Sequence, residues 1–192
     1  MIVDVDHRRF TDAMGWSYSA FYDFFRSDYF REFETGKSDE EEYFRELSAH
    51  IPLKPGDVQR YRDLIGHSFP LRVRTWGIIH YLRLRYRLFL FSNTNSLDYH
   101  AVNRAVDLEL PFEKSYTSHE QGFLKPDAKA YERAAELFGI RPDESCFFDD
   151  REENVRAAGS AGWKAYRVEN EEHLFRLLRE LNIVEAAALS GF

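Results

Sequence analysis

A serine, a lysine and a pair of adjacent carboxylates, each following a predicted strand, form a set of side chains that could bind a ligand or catalyse a reaction together. Asp149 and Asp150 come directly after the apolar run 146–148. Two neighbouring carboxylates repel each other unless a cation or a proton intervenes, and carboxylate oxygens are ligands that Mg²⁺ prefers. The pair therefore indicates a magnesium site, although an acid between a strand and a helix is also a common helix N-cap.

Ser92 and Lys125 are residues that could bind a phosphate group. Ser92 follows the strand predicted over 87–91, and a hydroxyl with backbone N–H groups at a strand end can hold phosphate oxygens. Lys125 stands before Pro126 at the start of a predicted helix, where an ammonium group could neutralise charge during phosphoryl transfer. A polar turn and a Lys-Pro helix entry are each weak signals alone. In this order with the acid pair, they indicate phosphate and metal chemistry.

The predicted secondary structure differs between the two halves of the chain. The first seventy or so residues have helical patterns, including a capping box at Ser38 and Glu41. Later, strands alternate with helices, which is typical of a parallel sheet covered by helices on both faces. We expect a core domain of residues 1–16 and 70–192 with a helical cap inserted over 17–69. Strands are predicted over 87–91, 115–117, 146–148 and 164–168, and helices of the second half over 126–138, 153–158 and 171–181.

The composition of the chain limits its class. It has 192 residues, of which 44% are hydrophobic and 31% charged, enough for one or two small domains with a packed core. Its formal net charge of −7 argues against a general affinity for nucleic acid or anionic membranes. Cys146, expected to be buried in its strand, is the single cysteine, which excludes an intramolecular disulfide. Without a membrane-length apolar run or a visible signal peptide, a cytoplasmic protein is predicted.

These motifs, in this order, resemble the haloacid dehalogenase (HAD) superfamily, specifically its small phosphatases with a helical cap. The resemblance covers nearly the whole chain. It is strongest to the sugar-phosphate phosphatases, in which a Ser-Asn-Thr-Asn run like 92–95 and a Phe-Phe-Asp-Asp run like 147–150 occur together. It implies an α/β fold with a Rossmann-like parallel sheet and a small helical cap inserted near the N-terminus.

The resemblance also implies an activity and a cofactor. The expected reaction is Mg²⁺-dependent hydrolysis of a small phosphorylated metabolite, such as a sugar phosphate, through an aspartyl-phosphate intermediate. The helical cap would close over the site and select the substrate. In the fourth motif of the family, Asp150 would bind Mg²⁺ directly, with Asp149 and Asn154 in supporting roles.

The second and third motifs of the family concern the phosphate. By the resemblance, Ser92 would hydrogen-bond a phosphoryl oxygen and Asn93 would offer its backbone N–H beside it. Lys125 would bridge the attacking carboxylate and the phosphate. No nucleic acid or membrane partner is expected.

The first motif of the family is the uncertain part of the resemblance. The family attacks phosphorus with the first Asp of an Asp-x-Asp motif on its first strand, and only Asp4-x-Asp6 is available near the N-terminus. Just Ile2 and Val3 separate Asp4 from Met1, whereas a core strand usually needs about five residues.

We therefore expect the family's first strand and nucleophile to lie upstream of Met1, with the natural start about a dozen residues earlier. Two alternatives stay open. One is a catalytically inactive relative that binds phosphate and Mg²⁺ as a regulatory protein. The other is an enzyme in which Asp4 attacks and Asp6 serves as acid and base.

Overall fold

A computed structural model describes residues 2–185 of the protein; Met1 and residues 186–192, which fall in the predicted core domain, lie outside them. Among the described residues, six α-helices and a short 3₁₀ helix (Ile65–Ser68) come before the first strand; the α-helices are α1 (His7–Met14), α2 (Tyr18–Phe25), α3 (Asp28–Glu34), α4 (Glu40–His50), α5 (Asp57–Leu64) and α6 (Val73–Leu82). The alternating part then comprises β1 (Phe89–Ser92), α7 (Ser96–Val106), β2 (Lys114–Thr117), α8 (Ser118–Gln121), α9 (Ala128–Phe138), β3 (Cys146–Asp149), α10 (Glu152–Ser160), β4 (Lys164–Arg167) and α11 (Glu171–Glu180). Within residues 2–185, no helix is long and apolar enough to span a membrane.

Side-chain N-caps decide where two of the helices begin. The capping box predicted at Ser38 and Glu41 forms one residue later, because Asp39 and Glu42 each accept a hydrogen bond from the other's backbone N–H. An Asp is as good an N-cap as a Ser and also favours the positive end of the helix dipole. The helix predicted to start at Pro126 starts at Ala128 instead, with Asp127 as its N-cap.

The helical cap is held together by an aromatic cluster. The hydroxyl groups of Tyr43 and Tyr61 lie 2.7 Å apart in a buried hydrogen bond, so the polar ends of both rings are satisfied. Helix α1 contributes Phe10 and Met14 to this cluster, so it packs with the cap helices, although 1–16 was expected to belong to the core. The domain division stays a prediction. The other buried aromatic residues of the cluster are Phe21, Phe24, Phe30, Phe33 and Phe44.

The chain enters the cap helices through residues 2–6 and leaves them through residues 68–72, and these two segments run antiparallel side by side. Val3 and Leu71 form a β-bridge. Three backbone hydrogen bonds join the segments, from Arg72 to Ile2, from Asp4 to Pro70 and from Asp6 to Ser68. The N-terminal segment 2–6 therefore pairs with segment 68–72, and this pairing joins the start of the cap helices to their end.

The four described strands form two separate parallel pairs. Strand β1 pairs with β2, and β3 pairs with β4. Between residues 2 and 185 there is no strand pairing between β1 and β3, so each has one edge without a strand partner. Helices cover both faces, because Phe147 packs in a cluster with α9 and α10 while its neighbour Phe148 packs against α6 and α11.

The missing strand partners explain two differences from the sequence-based predictions. A parallel strand covered on both faces should be fully buried, but all four residues of β1 are only half-buried. Cys146, which was expected to be buried, is exposed at the start of β3. Both strands lack a neighbour on one side, so their residues keep a surface that a continuous sheet would cover.

Gly36, just after α3, allows the helical cap to approach the core closely. Its φ angle is +66°, and a Cβ atom placed on it would lie 2.1 Å from the backbone oxygen of His119 in α8. Gly15 has a similar φ angle of +72° but nothing within 4 Å of such a Cβ atom. The two glycines therefore share the left-handed backbone and differ in the space available.

We expect Gly36→Ala to lower the free energy of unfolding more than Gly15→Ala does. Both variants bear the left-handed strain of roughly 1–2 kcal/mol, and Gly36→Ala adds an overpacking cost of about 1–3 kcal/mol. Urea unfolding of the two variants and the parent measures this. An equal loss in both variants would contradict the close approach of cap and core.

Candidate active site

Lys125 connects the two strand pairs at their carboxyl ends. Its Nζ donates to the backbone oxygen of Phe91 in β1 and to Oδ2 of Asp149 at the end of β3, each at 2.8 Å. The side chains of Lys125 and Asp149 are 9% and 7% exposed, so this is a buried ion pair. The ammonium also lies 4.9 Å and 5.4 Å from the ring centroids of Phe91 and Phe147, close enough for cation–π attraction.

Asn93 fixes the main chain of Lys125. Its Nδ2 donates to the Lys125 carbonyl oxygen at 2.8 Å, and its Oδ1 accepts from the Lys125 N–H at 2.9 Å. This pair of bonds holds the loop after β1 against the residue that carries the ammonium. The family resemblance implied for Asn93 only a backbone N–H offered to phosphate, and the side-chain contact gives the residue a positioning role as well.

Asp149 is held by hydrogen bonds on both carboxylate oxygens. While Oδ2 accepts from Lys125, Oδ1 accepts from the backbone N–H of Arg151 and from Nδ2 of Asn154, each at 2.9 Å. Burial raises the pKa of Asp149, but the Lys125 ammonium and these hydrogen bonds outweigh burial and hold the pKa below its ordinary value of 3.8. Asp149 is therefore ionised at neutral pH.

Asn154 supports Asp149 and has an unsatisfied atom of its own. The residue is 2% exposed, and its backbone oxygen accepts from the hydroxyl of Tyr131 at 2.8 Å. Its side-chain Oδ1 is buried without a hydrogen-bond partner in the part of the chain that the structure describes. Leaving a buried acceptor unpaired costs about 1–3 kcal/mol, so a donor such as water would be stabilising here.

Asp150 is the free carboxylate of the pair. It is exposed, and its backbone oxygen accepts from Nε of Arg167 at 3.4 Å. No group of three or more His, Cys, Asp or Glu side chains among the described residues could hold a metal ion. Mg²⁺, however, is often bound by one or two carboxylates, with water and substrate phosphate as the other ligands. Asp150 fits a magnesium site of that kind.

Ser92 lies at the carboxyl end of β1 and is half-buried. Within residues 2–185, the one hydrogen-bonding contact of its hydroxyl is a long one of 3.4 Å to the neighbouring carbonyl oxygen of Asn93, so the hydroxyl is available to a ligand. Sequence reasoning missed Ser118, whose Oγ accepts from the Thr94 N–H at 2.9 Å and donates to the Thr94 carbonyl at 3.1 Å. Ser118 directly follows strand β2, and this position at a strand end could have marked it in the sequence as a residue that holds the loop after β1.

The two N-terminal carboxylates are engaged elsewhere. Asp4 accepts from Nε of Arg72 at 2.7 Å, and Asp6 is the N-cap of α1, accepting from the backbone N–H of Arg9 at 3.2 Å. Within residues 2–185, neither is hydrogen-bonded or ion-paired to Lys125. The assignment of Asp4 as nucleophile and Asp6 as acid and base stays a prediction without support from these contacts.

A cleft of about 620 Å³ opens between the helical cap and the core. We call it the cap–core cleft; its core wall includes Asn93, Lys125 and Arg151, and its cap wall includes Phe25, Arg31 and Glu34. Its volume lies within the range of roughly 300–1,000 Å³ typical of small-molecule sites. The structure thus brings Lys125 to a space large enough for a small substrate.

We expect Asp149→Asn to lower the free energy of unfolding by about 3–5 kcal/mol, because the buried Lys125 loses its counter-charge. Asp150→Asn is the matched control. The same substitution at this exposed neighbour should change stability by no more than about 0.5 kcal/mol. Urea unfolding at pH 7 measures both, and equal losses would contradict the buried ion pair.

The lowered pKa of Asp149 gives this stabilisation a pH dependence. The contribution is fully present above the ordinary pKa of 3.8 and is lost as the pH falls through the lower pKa of the folded state. The stability difference between the parent and Asp149→Asn should therefore shrink at acidic pH. Unfolding measured from pH 7 to pH 3 tests this, and a constant difference would show that Asp149 is not the titrating group.

Comparison with known proteins is consistent with this geometry. A family model described as haloacid dehalogenase-like hydrolase matches residues 10–162. A sesquiterpene phosphatase of Aspergillus oryzae is 26% identical over 139 residues, covering 71% of this chain and 70% of that protein. A D-ribitol-5-phosphate phosphatase of Bacteroides thetaiotaomicron is 24% identical over 150 residues, covering 73% and 71%.

A solved structure has the same fold. It is a HAD family enzyme of Bacteroides thetaiotaomicron in complex with magnesium and inorganic phosphate, with a TM-score of 0.79 and 24% identity, covering 91% of this chain and 94% of that one. The predicted α/β fold and the resemblance to HAD phosphatases are thereby confirmed. Because the family model matches well over half of its residues, the chain belongs to the haloacid dehalogenase-like hydrolase family.

Proposed function

We propose that this protein is a Mg²⁺-dependent cytoplasmic phosphatase that hydrolyses a small phosphorylated metabolite, such as a sugar phosphate. The observation that carries the proposal is the buried Lys125–Asp149 ion pair at the carboxyl ends of β1 and β3. Ligands of open α/β sheets bind at this edge. Two relatives named as phosphatases, one for a sesquiterpene and one for D-ribitol 5-phosphate, support the same reaction class.

In this proposal the phosphate lies between Ser92 and Lys125. A lysine ammonium has three N–H donors, and the carbonyl of Phe91 and the carboxylate of Asp149 use two of them. The third is available to a phosphate oxygen. The weakly engaged hydroxyl of Ser92 and the backbone N–H of Asn93 would bind the other oxygens.

Magnesium would be held by Asp150, with Asp149 and Asn154 in support. Asp149 is already committed to Lys125, whereas Asp150 is exposed and can reach a solvated ion. The unpaired Oδ1 of Asn154 could accept a hydrogen bond from a water ligand of the ion. Bound there, Mg²⁺ would neutralise charge on the phosphate.

Among residues 2–185, no carboxylate in contact with Lys125 is free to act as the nucleophile. Covalent catalysis of this kind requires a free carboxylate beside the phosphate. Asp149 contacts Lys125 but is held by three hydrogen bonds, so it is poorly placed to attack. We propose that the nucleophile stands at the carboxyl end of an additional strand between β1 and β3. Each of these strands has an edge without a strand partner, and Lys125 bridges the two.

A second candidate function follows from the same observation. If no additional strand completes the site, Ser92, Lys125 and Asp150 would form a pocket for phosphate and Mg²⁺ without turnover. The protein would then be a catalytically inactive, regulatory binding protein.

Hydrolysis of p-nitrophenyl phosphate with Mg²⁺ separates these possibilities. We expect the 192-residue protein to be inactive, because the described residues place no free carboxylate beside Lys125. A form extended at its amino terminus should be active if the extension supplies the strand and its carboxylate. Activity in the 192-residue protein that is lost in Asp4→Asn would instead make Asp4 the nucleophile. Absence of activity in both proteins would favour the regulatory binding protein.

We further expect Asp150→Asn to abolish the rise in melting temperature that Mg²⁺ produces in the parent protein, because Asp150 is the proposed ligand. Asp12→Asn, which changes an exposed acid in α1, serves as the control and should keep the full shift. Differential scanning fluorimetry with and without Mg²⁺ measures both. An unchanged shift in Asp150→Asn would remove Asp150 from the metal site.

A further inference from the structure

Glu34, the last residue of α3, is a polar group in the cap–core cleft that has no partner. It lines the cleft opposite the wall that carries Lys125 and Arg151. Its carboxyl group makes no hydrogen bond or ion pair with any other residue in the range 2–185. Burial raises the pKa of Glu34 to about 7, although the charges of Arg151 and Arg31 act in the opposite direction.

The charges that act on Glu34 come from both walls of the cleft. Arg31 stands one turn earlier on α3, and Arg151 belongs to the core next to the acid pair. Arg151 is itself paired with Glu153 at 2.6 Å, and within residues 2–185 it makes no hydrogen bond or ion pair with Glu34. Glu34 is therefore a partly buried carboxyl group between two cationic side chains, with its hydrogen-bonding capacity unused.

The phenylalanine and leucine side chains that line the cleft are buried or half-buried. Phe30 is 4% exposed, and Phe25 and Leu124 are half-buried, so these side chains are largely occupied by packing within the protein. An apolar chain placed in the cleft would remove water from Glu34 and Arg31 without replacing its hydrogen bonds. Each polar group left unpaired in this way costs about 1–3 kcal/mol. A ligand with hydroxyl groups can satisfy the same side chains.

We propose that Glu34 is a specificity-determining residue that selects phosphate esters whose other part is a short chain bearing hydroxyl groups. The hydroxyls hydrogen-bond Glu34, with Arg31 beside it, while the phosphate lies at Lys125. This inference rests on the proposed function, because it takes the phosphate position from it. A hydroxylated chain and an apolar chain of equal length are thereby distinguished by the cap and not by the phosphate site.

The test is a binding comparison, by isothermal titration calorimetry with Mg²⁺, of inorganic phosphate, sorbitol 6-phosphate and hexyl phosphate. The last two have six carbons each and differ in their hydroxyl groups. We expect the parent to bind sorbitol 6-phosphate at least about tenfold more tightly than hexyl phosphate, as one or two satisfied hydrogen bonds would give.

Glu34→Leu should remove this preference, while inorganic phosphate still binds. Glu34→Gln, which keeps a hydrogen-bonding group of the same size, should retain part of it. Glu32→Leu is the matched control: it makes the same change at an exposed position of α3 outside the cleft and should behave like the parent.

The outcomes separate this inference from the proposed function. If the parent fails to bind inorganic phosphate, the proposed function fails and the role of Glu34 falls with it. If the parent binds phosphate but prefers hexyl phosphate, or if Glu34→Leu keeps the preference for sorbitol 6-phosphate, only the role of Glu34 is overturned.

Discussion

Lys125 spans two pairs of strands that share no backbone hydrogen bond in the described part of the chain, and its ammonium is divided between a strand carbonyl and the carboxylate of Asp149. A buried charge is stable only when it is paired and hydrogen-bonded, so the positions of the Lys125 ammonium and the Asp149 carboxylate must both be fixed. Asn93 fixes the main chain of Lys125, and Asn154 fixes the carboxylate of Asp149. The geometry of the site thus depends on side chains as much as on the sheet.

Ser92 and Asp149 could be identified from the sequence as candidate site residues because they stand at strand ends, and the alternation of strands and helices is a local pattern. Lys125 lies in the loop before α9 and could be identified as a candidate from its place beside Pro126 at a predicted helix start. The side-chain contact between Asn93 and the backbone of Lys125 could not, because no local rule links positions so far apart in the chain. The half-buried state of β1 also depends on which strands lie beside it, and the apolar run 87–91 carries no information about that.

The helical cap is rich in aromatic residues, but the side chains that it presents to the cap–core cleft include charged ones. The rings pack among themselves, so the surface turned towards Lys125 is left to polar residues such as Arg31 and Glu34. Just after α3, Gly36 packs closely against the backbone of His119, and this contact sets the distance between the helical cap and the core there. If Glu34 selects the substrate as proposed, substrate choice could change through a few polar side chains on α3 without a change in the aromatic cluster or in the proposed phosphate site.

The unpaired edges of β1 and β3 have a consequence for solubility. Such an edge presents main-chain donors and acceptors that strands of other molecules can join, which is a common route to aggregation. Lys125 covers one carbonyl oxygen, that of Phe91, near the carboxyl end of β1, so it leaves most of this edge open. The additional strand proposed between β1 and β3 would cover both edges along their length, so it would protect the protein against self-association as well as supply the attacking carboxylate.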